Sequence, residues 1–142
     1  PFAEDDHSLF NQLKLKAPDY LQIVGDDLVV TNENLIKEAS KKDCINSLLI
    51  KPNQIGTISE TKKAHDLSNN LNLISIMSAR SGETEDTTIA DLCVGWELKQ
   101  IKVGSISRSE RTSKWNQCIR IGEMINNNYL MHNINELKWS KL

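Results

Sequence analysis

Short apolar runs alternate with stretches of helical spacing four times along the chain. The runs cover residues 21–28, 45–50, 73–77 and 100–105, and a polar turn follows each of them. An apolar run, a turn and a helical stretch make a βα unit, and consecutive units of this kind place their strands in parallel. The pattern therefore predicts an α/β fold of about four βα units with parallel strands.

The stretches between the runs have helix signals of their own. Thr31-Asn32-Glu33 offers a cap and an early acid to the first helix. The second helix is predicted to begin at Thr57 or Ser59 and to end near Asn69-Asn70. The predicted inward-facing positions of the four helices are Leu35, Ile36 and Ala39; Ile58, Thr61, Ala64, Leu67 and Leu71; Ile89, Leu92, Cys93 and Trp96; and Trp115, Cys118, Ile119, Gly122 and Ile125.

Four βα units make half of a (β/α)₈ barrel or one side of an open doubly wound sheet. No GxGxxG motif or P-loop follows the first run, which argues against the nucleotide-binding sheet. Barrel active sites lie at the C-terminal ends of strands, and chemically capable side chains stand at or near the end of every run. These side chains belong to Asp26 and Asp27, Lys51, Arg80 and Ser81, and Lys102.

We therefore predict a partial barrel over residues 1–125 and a C-terminal tail over 126–142. The tail is polar and without period, and it is expected to be partly irregular. Its possible docking residues are Tyr129, Leu130, Met131 and Trp139.

Composition places the chain among soluble globular domains. Its 142 residues are 39% hydrophobic and 25% charged. The net charge is −2 and the lysines are scattered among carboxylates, so we expect no nucleic-acid partner. No run is long enough to span a membrane and the N-terminus lacks a secretory signal pattern, so we expect a cytoplasmic protein without membrane contact.

The cysteines and histidines carry no metal-site spacing. Cys44, Cys93 and Cys118 are far apart and without a CxxC motif, which predicts buried reduced thiols. His7, His65 and His132 are isolated from one another and are expected at the surface.

Lys51 directly follows a continuous apolar run. A lysine at the end of a buried strand loses part of its hydration and can serve as a base. The alternative is a lysine whose stem lies along the apolar surface while its amine reaches water. Asp26 and Asp27 have two readings as well, as functional carboxylates or as caps of the following turn.

The acids that follow Arg80 also allow two interpretations. Glu83, Glu85 and Asp86 could form a metal cluster with their carboxylates. They could instead favour the N-terminus of the next helix and pair with basic residues further on, for which Arg108 and Arg111 are the candidates. Arg80 itself could be a structural member of such an ion pair.

Several long motifs resemble the enolase family in order and in spacing. They are VGDDLVVTN at 24–32, IKPNQIGT at 50–57, IMSARSGETEDTTIAD at 76–91, QIKVG at 100–104 and SRSER at 107–111. The resemblance covers about residues 1–123, and it is specific because several long motifs agree together. It implies the C-terminal half of an enolase-type TIM barrel.

The resemblance also implies an activity, a cofactor and site residues. Enolase is the lyase of glycolysis and gluconeogenesis that interconverts 2-phosphoglycerate and phosphoenolpyruvate, with a lysine base and an enolate stabilised by Mg²⁺. By resemblance, Lys51 matches the base and Asp26 matches a magnesium ligand. Asp27 is expected to support that ligand without binding the metal itself. Ser78, Arg80, Ser81 and Lys102 match substrate-binding positions, and Arg80 and Ser81 are the phosphate-binding pair.

The chain departs from the family pattern in two respects. Ala79 stands where the family has the histidine of Ser-His-Arg-Ser, and alanine offers no hydrogen-bond donor. The family's Glu-Asp before Pro1-Phe2, its other metal ligands and its N-terminal domain are outside this sequence. The chain is therefore expected to be active only when completed, and the alternative is a non-catalytic enolase-like subunit or binding module.

A half barrel would leave two edge strands with unpaired backbone groups, near Leu21 and Ile101. We therefore expect an oligomer or a completed chain. The partner would be the N-terminal enolase portion, a second copy of this chain, or the remainder of a longer parent chain.

Overall fold

The computed structural model describes residues 2–125, 135 and 137. The predicted docking residues of the tail and His132 lie outside this range. The described elements, in chain order, are α1 (His7–Lys16), β1 (Val24–Gly25), α2 (Glu33–Lys41), β2 (Ser47–Ile50), α3 (Pro52–Ile55), α4 (Ile58–Asn70), β3 (Ile74–Ser78), α5 (Thr88–Gly95), β4 (Ile101–Lys102) and α6 (Ser109–Met124).

The four strands form one sheet in the order β1-β2-β3-β4. Val24 pairs with Ser47 in a parallel β1–β2 ladder, and Met77 pairs with Ile101 in a parallel β3–β4 ladder. All four residues of β2 are buried, as expected of a parallel strand covered on both faces. The predicted α/β class and parallel strands are therefore confirmed, although β1 and β4 are shorter than the runs that contain them.

Helix starts follow the predicted capping residues. The side chain of Asn32 accepts the backbone N–H groups of Asn34 and Leu35 at the start of α2. Thr57 caps α4 in the same way through the N–H of Glu60, and α4 ends at Asn70 as predicted. No helix of the described residues has the length and apolar composition needed to cross a membrane.

Helix α1 was not predicted from the sequence. Asp6 caps it by accepting the N–H of Leu9 at 3.0 Å, and lysines occupy its last turn, where the helix dipole favours positive charge. Phe10 is its one buried residue. Because a single residue is buried, the helix has too narrow an apolar stripe to give a periodic signal.

By their contacts, the described residues divide into two compact units, 2–75 with 135 and 137, and 76–125. In the first unit, the core includes fully buried side chains from the loop after β1, from α2, from the segment before β2, from β2 itself and from α4. They belong to Val29, Ile36, Ala39, Ile45, Leu48, Ile50 and Ala64.

The inward face of α4 differs from the prediction. Ile58, expected inside, is 47% exposed, while Thr61, His65 and Ser68 are buried. Thr61 donates its hydroxyl to the carbonyl of Thr57 at 2.7 Å, and Ser68 donates to the carbonyl of His65 at 2.7 Å. Because these two hydroxyls are satisfied within the helix, they can be buried at little cost. His65 is buried as well, so the surface position expected for it is wrong.

In the second unit, the core includes Met77, Ala90, Cys93, Leu98 and Val103. Helix α6 also departs from its predicted face, since Ile119 is 61% exposed and Lys114 is fully buried.

The three cysteines are free thiols, as predicted. Cys44 and Cys93 are buried, whereas Cys118 is only half-buried. Burial raises the pKa of the Cys93 thiol to about 12, so this sulfur remains protonated at neutral pH.

Candidate functional site

Lys51 and Asp26 meet at the C-terminal ends of two paired strands. Asp26 directly follows β1 and Lys51 directly follows β2, and parallel pairing brings these strand ends to the same edge of the sheet. The Nζ of Lys51 donates to Oδ1 of Asp26 at 2.5 Å. The structure thus brings together the predicted base and the predicted metal ligand.

The burial of this pair is uneven. The Lys51 side chain is 8% exposed, whereas that of Asp26 is 36% exposed. The Lys51 side chain is thus largely enclosed, and its amine contacts the half-exposed carboxylate of Asp26. The carbonyl of Asp26, rather than its side chain, accepts the N–H groups of Val29 and Val30 in the turn. The exposed carboxylate can therefore contact other groups while its Oδ1 holds Lys51.

Gly25 permits the close packing beneath Asp26. A Cβ atom at this position would lie 3.0 Å from Cδ1 of Ile45 and 3.3 Å from Cγ1 of Val29. These distances are shorter than most real Cβ contacts, so a side chain at this strand end would require Ile45 or Val29 to shift by a few tenths of an ångström.

Thr31 holds the backbone of Lys51, and sequence reasoning treated it only as part of a helix cap. Its Oγ1 accepts the backbone N–H of Lys51 at 2.9 Å and donates to Oε1 of Gln54 at 2.8 Å. Thr31 is fully buried and has a φ of +57°, and Val30 before it has a φ of +37°. β-branched residues rarely adopt this left-handed conformation, and such strain is concentrated at functional sites.

Replacing Thr31 with valine should lower the free energy of unfolding by about 1–3 kcal/mol, because the buried N–H of Lys51 loses its acceptor. Valine keeps the shape and the β-branch, so the backbone strain is unchanged. The measurement is urea denaturation of the chain. Thr87→Val is the matched control, since the Thr87 side chain makes no capping hydrogen bond. Equal losses in the two variants would contradict the assigned role of Thr31.

In the second unit, the Ser78-Ala79-Arg80-Ser81 segment runs out of β3. Ser78 is 1% exposed and donates its hydroxyl to the carbonyl of Ala79 at 2.8 Å. Ala79 is buried, and its N–H donates to the carbonyl of Lys102 at 2.9 Å. The side chains at the end of the segment and at the end of β4 are exposed; they are Arg80, Ser81 and Lys102.

Among the described residues, Arg80 forms no ion pair with a carboxylate. Its interpretation as a structural ion-pair member therefore finds no support in this part of the chain. Its backbone is fixed instead. The N–H of Arg80 donates to Oε1 of Glu83 at 2.7 Å, and its carbonyl accepts Nη1 of Arg111 at 2.7 Å. A fixed backbone with an exposed guanidinium suits the binding of an anion from solution.

The acids after Arg80 do not form a metal cluster. Within residues 2–125, 135 and 137, no group of three potential metal ligands is found. Asp86 accepts the N–H of Thr88 at the start of α5, and this hydrogen bond holds the pKa of Asp86 below its ordinary value. The helix-terminus reading is thus confirmed for Asp86.

The ion pairs predicted for these acids are wrong. Glu83 pairs with Lys114 at 3.0 Å, a residue that sequence reasoning missed. Arg108 and Arg111 contact Glu110 instead, at 2.8 Å and 3.9 Å.

A magnesium ion fits this part of the chain only in part. Mg²⁺ takes one or two carboxylates together with water and substrate oxygens. Asp26 offers one half-exposed carboxylate, and Asp27 beside it is exposed. The described residues alone therefore do not form a magnesium site.

Comparison with known proteins gives the family. The family model described as "Enolase, C-terminal TIM barrel domain" matches residues 1–139. The enolase of Corynebacterium kroppenstedtii is 50% identical over 125 residues, which are 88% of this chain and 29% of that protein. The chain belongs to the enolase family and corresponds to its C-terminal TIM-barrel domain. It spans less than a third of the length of this relative.

Proposed function

We propose that this chain carries the C-terminal barrel part of an enolase-type lyase, which dehydrates 2-phosphoglycerate reversibly to phosphoenolpyruvate in glycolysis and gluconeogenesis. The observation that carries the proposal is the contact between the amine of the largely enclosed Lys51 side chain and Asp26 at adjoining strand ends. Barrel active sites are built at the C-terminal ends of strands, so a lysine held at this edge of the sheet is placed for proton transfer. Family membership supports the same reaction class.

Lys51 is proposed as the base. The C–H bond next to the substrate carboxylate breaks, its proton passes to Nζ of Lys51, and its electron pair moves onto the carboxylate as an enediolate. The enediolate electron pair then forms the C=C bond of phosphoenolpyruvate as the C–O bond to the neighbouring hydroxyl breaks. An acid contributed from outside the described residues supplies the proton with which this hydroxyl leaves as water. Proton abstraction turns the amine into an ammonium, and the contact with Asp26 stabilises this charge.

The other roles are proposed residue by residue. Arg80 and Ser81 bind the phosphate, and Ser78 and Lys102 are the other substrate-binding residues. Asp26 gives one oxygen to a magnesium ion whose other ligands come from outside the described residues. The remainder of an enolase, or a second copy of this chain, completes the barrel. Cytoplasmic location stays a prediction of the sequence.

The test is to complete the barrel. The chain is co-expressed with the upstream part of the C. kroppenstedtii enolase, and we call the resulting assembly the completed enzyme. Phosphoenolpyruvate formation is followed by absorbance with magnesium present. Turnover above that of either part alone is expected. A well-folded assembly without turnover would rule out the catalytic proposal.

A second function is supported by Ala79. Where the family has a histidine, this chain has a buried methyl group, which cannot donate to a phosphate or to a reacting oxygen. Loss of one such donor lowers the rate of an enzyme by about 10²–10³-fold. The alternative is therefore an enolase-like subunit or binding module that keeps the fold without the chemistry.

A further inference from the structure

Helix α6 reaches back to the loop after β3 with two cationic side chains. Arg111 donates through Nη1 to the carbonyl of Arg80 and through Nη2 to the carbonyl of Ser81, both at 2.7 Å. Nη1 also donates to the carbonyl of Val103 at 3.1 Å, just beyond β4. One planar guanidinium thus joins the chain beyond β3 to the chain beyond β4.

Lys114 lies three residues after Arg111, on the same side of the helix. It is fully buried, and its ammonium has three partners. Nζ donates to the carbonyl of Thr84 at 2.5 Å and to that of Glu110 at 2.7 Å, and it lies 3.0 Å from Oε2 of Glu83. An ammonium has three donors, so this buried charge is fully satisfied.

Glu83 connects the two halves of this arrangement. Its Oε2 contacts Lys114, while its Oε1 accepts the backbone N–H of Arg80. The backbone of Arg80 is therefore held on both sides, by Glu83 at its N–H and by Arg111 at its carbonyl. None of these contacts uses the Arg80 guanidinium, which stays exposed.

We propose that Arg111 and Lys114 are positioning residues that hold the 80–84 loop so that Arg80 and Ser81 can bind a phosphate monoester. The inference rests on the proposed function, because phosphate binding by Arg80 is itself part of that proposal. A preformed loop avoids the entropic cost of ordering at the moment of binding, so these two cations increase phosphate affinity without touching phosphate.

The test uses amide hydrogen exchange and phosphate affinity in the full chain. Arg111→Met removes the guanidinium that donates to the carbonyls of Arg80 and Ser81. The double variant Glu83→Gln with Lys114→Met removes the buried pair as a whole, so no unpaired charge stays inside. Arg120→Met is the matched control, since Arg120 is exposed on the same helix and donates to Gln117 within that helix. Inorganic phosphate is the probe, followed by NMR at the Arg80 and Ser81 amides.

Exchange at the Arg80 amide, whose N–H donates to Glu83, should rise roughly tenfold to a hundredfold in both test variants. Phosphate affinity should fall by about tenfold. The Arg120→Met chain should stay within about twofold of the parent on both measures. The Arg80→Met chain should lose the phosphate response while its loop exchange stays near that of the parent.

The possible failures are distinguishable. Unchanged exchange, or faster exchange with unchanged phosphate affinity, would overturn the positioning role while leaving the proposed function intact. A parent chain with no phosphate response would overturn the phosphate role of Arg80, and the positioning role with it. The turnover of the completed enzyme tests Lys51 independently of both.

Discussion

Replacing Lys51 with methionine is expected to lower the turnover of the completed enzyme by about 10²–10⁴-fold, the usual contribution of a positioned general base. Methionine has a similar length and fills the same buried space, but it has no atom that can take a proton. The substitution also removes the partner of Asp26, whose side chain is exposed enough to be hydrated instead. The loss should therefore be mainly catalytic.

The measurement is kcat for phosphoenolpyruvate formation at saturating substrate. Lys63→Met is the matched control, because Lys63 is an exposed lysine on α4. It should stay within about twofold of the parent. Both chains must assemble with the upstream part equally well, which co-purification shows. Should Lys51→Met keep a third or more of the parent turnover, Lys51 is not the base.

The Lys51–Asp26 contact could be anticipated from the sequence, since it depends only on two predictable features. Asp26 lies near the end of the first apolar run and Lys51 directly follows the second, and the βα pattern requires these runs to be parallel. Parallel strands end at a common edge of the sheet, so side chains at their ends become neighbours. The short β1 strand did not weaken this argument, because its register with β2 is fixed at Val24 and Gly25.

Thr31 and Lys114 could not be predicted in the same way. The role of Thr31 depends on a left-handed backbone that β-branched residues rarely adopt, and local sequence preferences argue against it. Lys114 is a fully buried lysine, and its burial is tolerated because two carbonyls and Glu83 satisfy it. Those partners depend on how α6 packs on the loop after β3. The weak available signal was a lysine directly before the apolar position Trp115.

The prediction of which α4 side chains are buried is wrong for a related reason. Hydrophobicity alone placed Ile58 inside, but Thr61, His65 and Ser68 are buried instead. Hydroxyl groups can satisfy themselves on carbonyls of the preceding turn, so small polar residues can face a core. A prediction from apolar periodicity relies on apolar residues, so it misses His65 and Ser68 as parts of the buried face of α4.

Restoring a histidine at position 79 should raise the turnover of the completed enzyme by about 10²-fold or more if the rest of the catalytic apparatus is present. The backbone at this position is fixed on both sides. The N–H of Ala79 donates to the carbonyl of Lys102, and its own carbonyl accepts the Ser78 hydroxyl. A new side chain would therefore start from a defined position next to Arg80, and an imidazole would restore the donor that the methyl group lacks.

Burial opposes this gain. Ala79 is 7% exposed, so a larger side chain must displace its neighbours, and overpacking typically costs about 1–3 kcal/mol of stability. Ala79→Leu is the matched control, because it adds comparable bulk without a donor. The informative quantity is the ratio of kcat between the two variants, measured on assemblies with equal unfolding transitions. A ratio well above ten supports a catalytic lineage that lost one donor, because only the imidazole distinguishes the two chains. A ratio near one means that a donor at this position serves no chemistry, which favours the non-catalytic subunit.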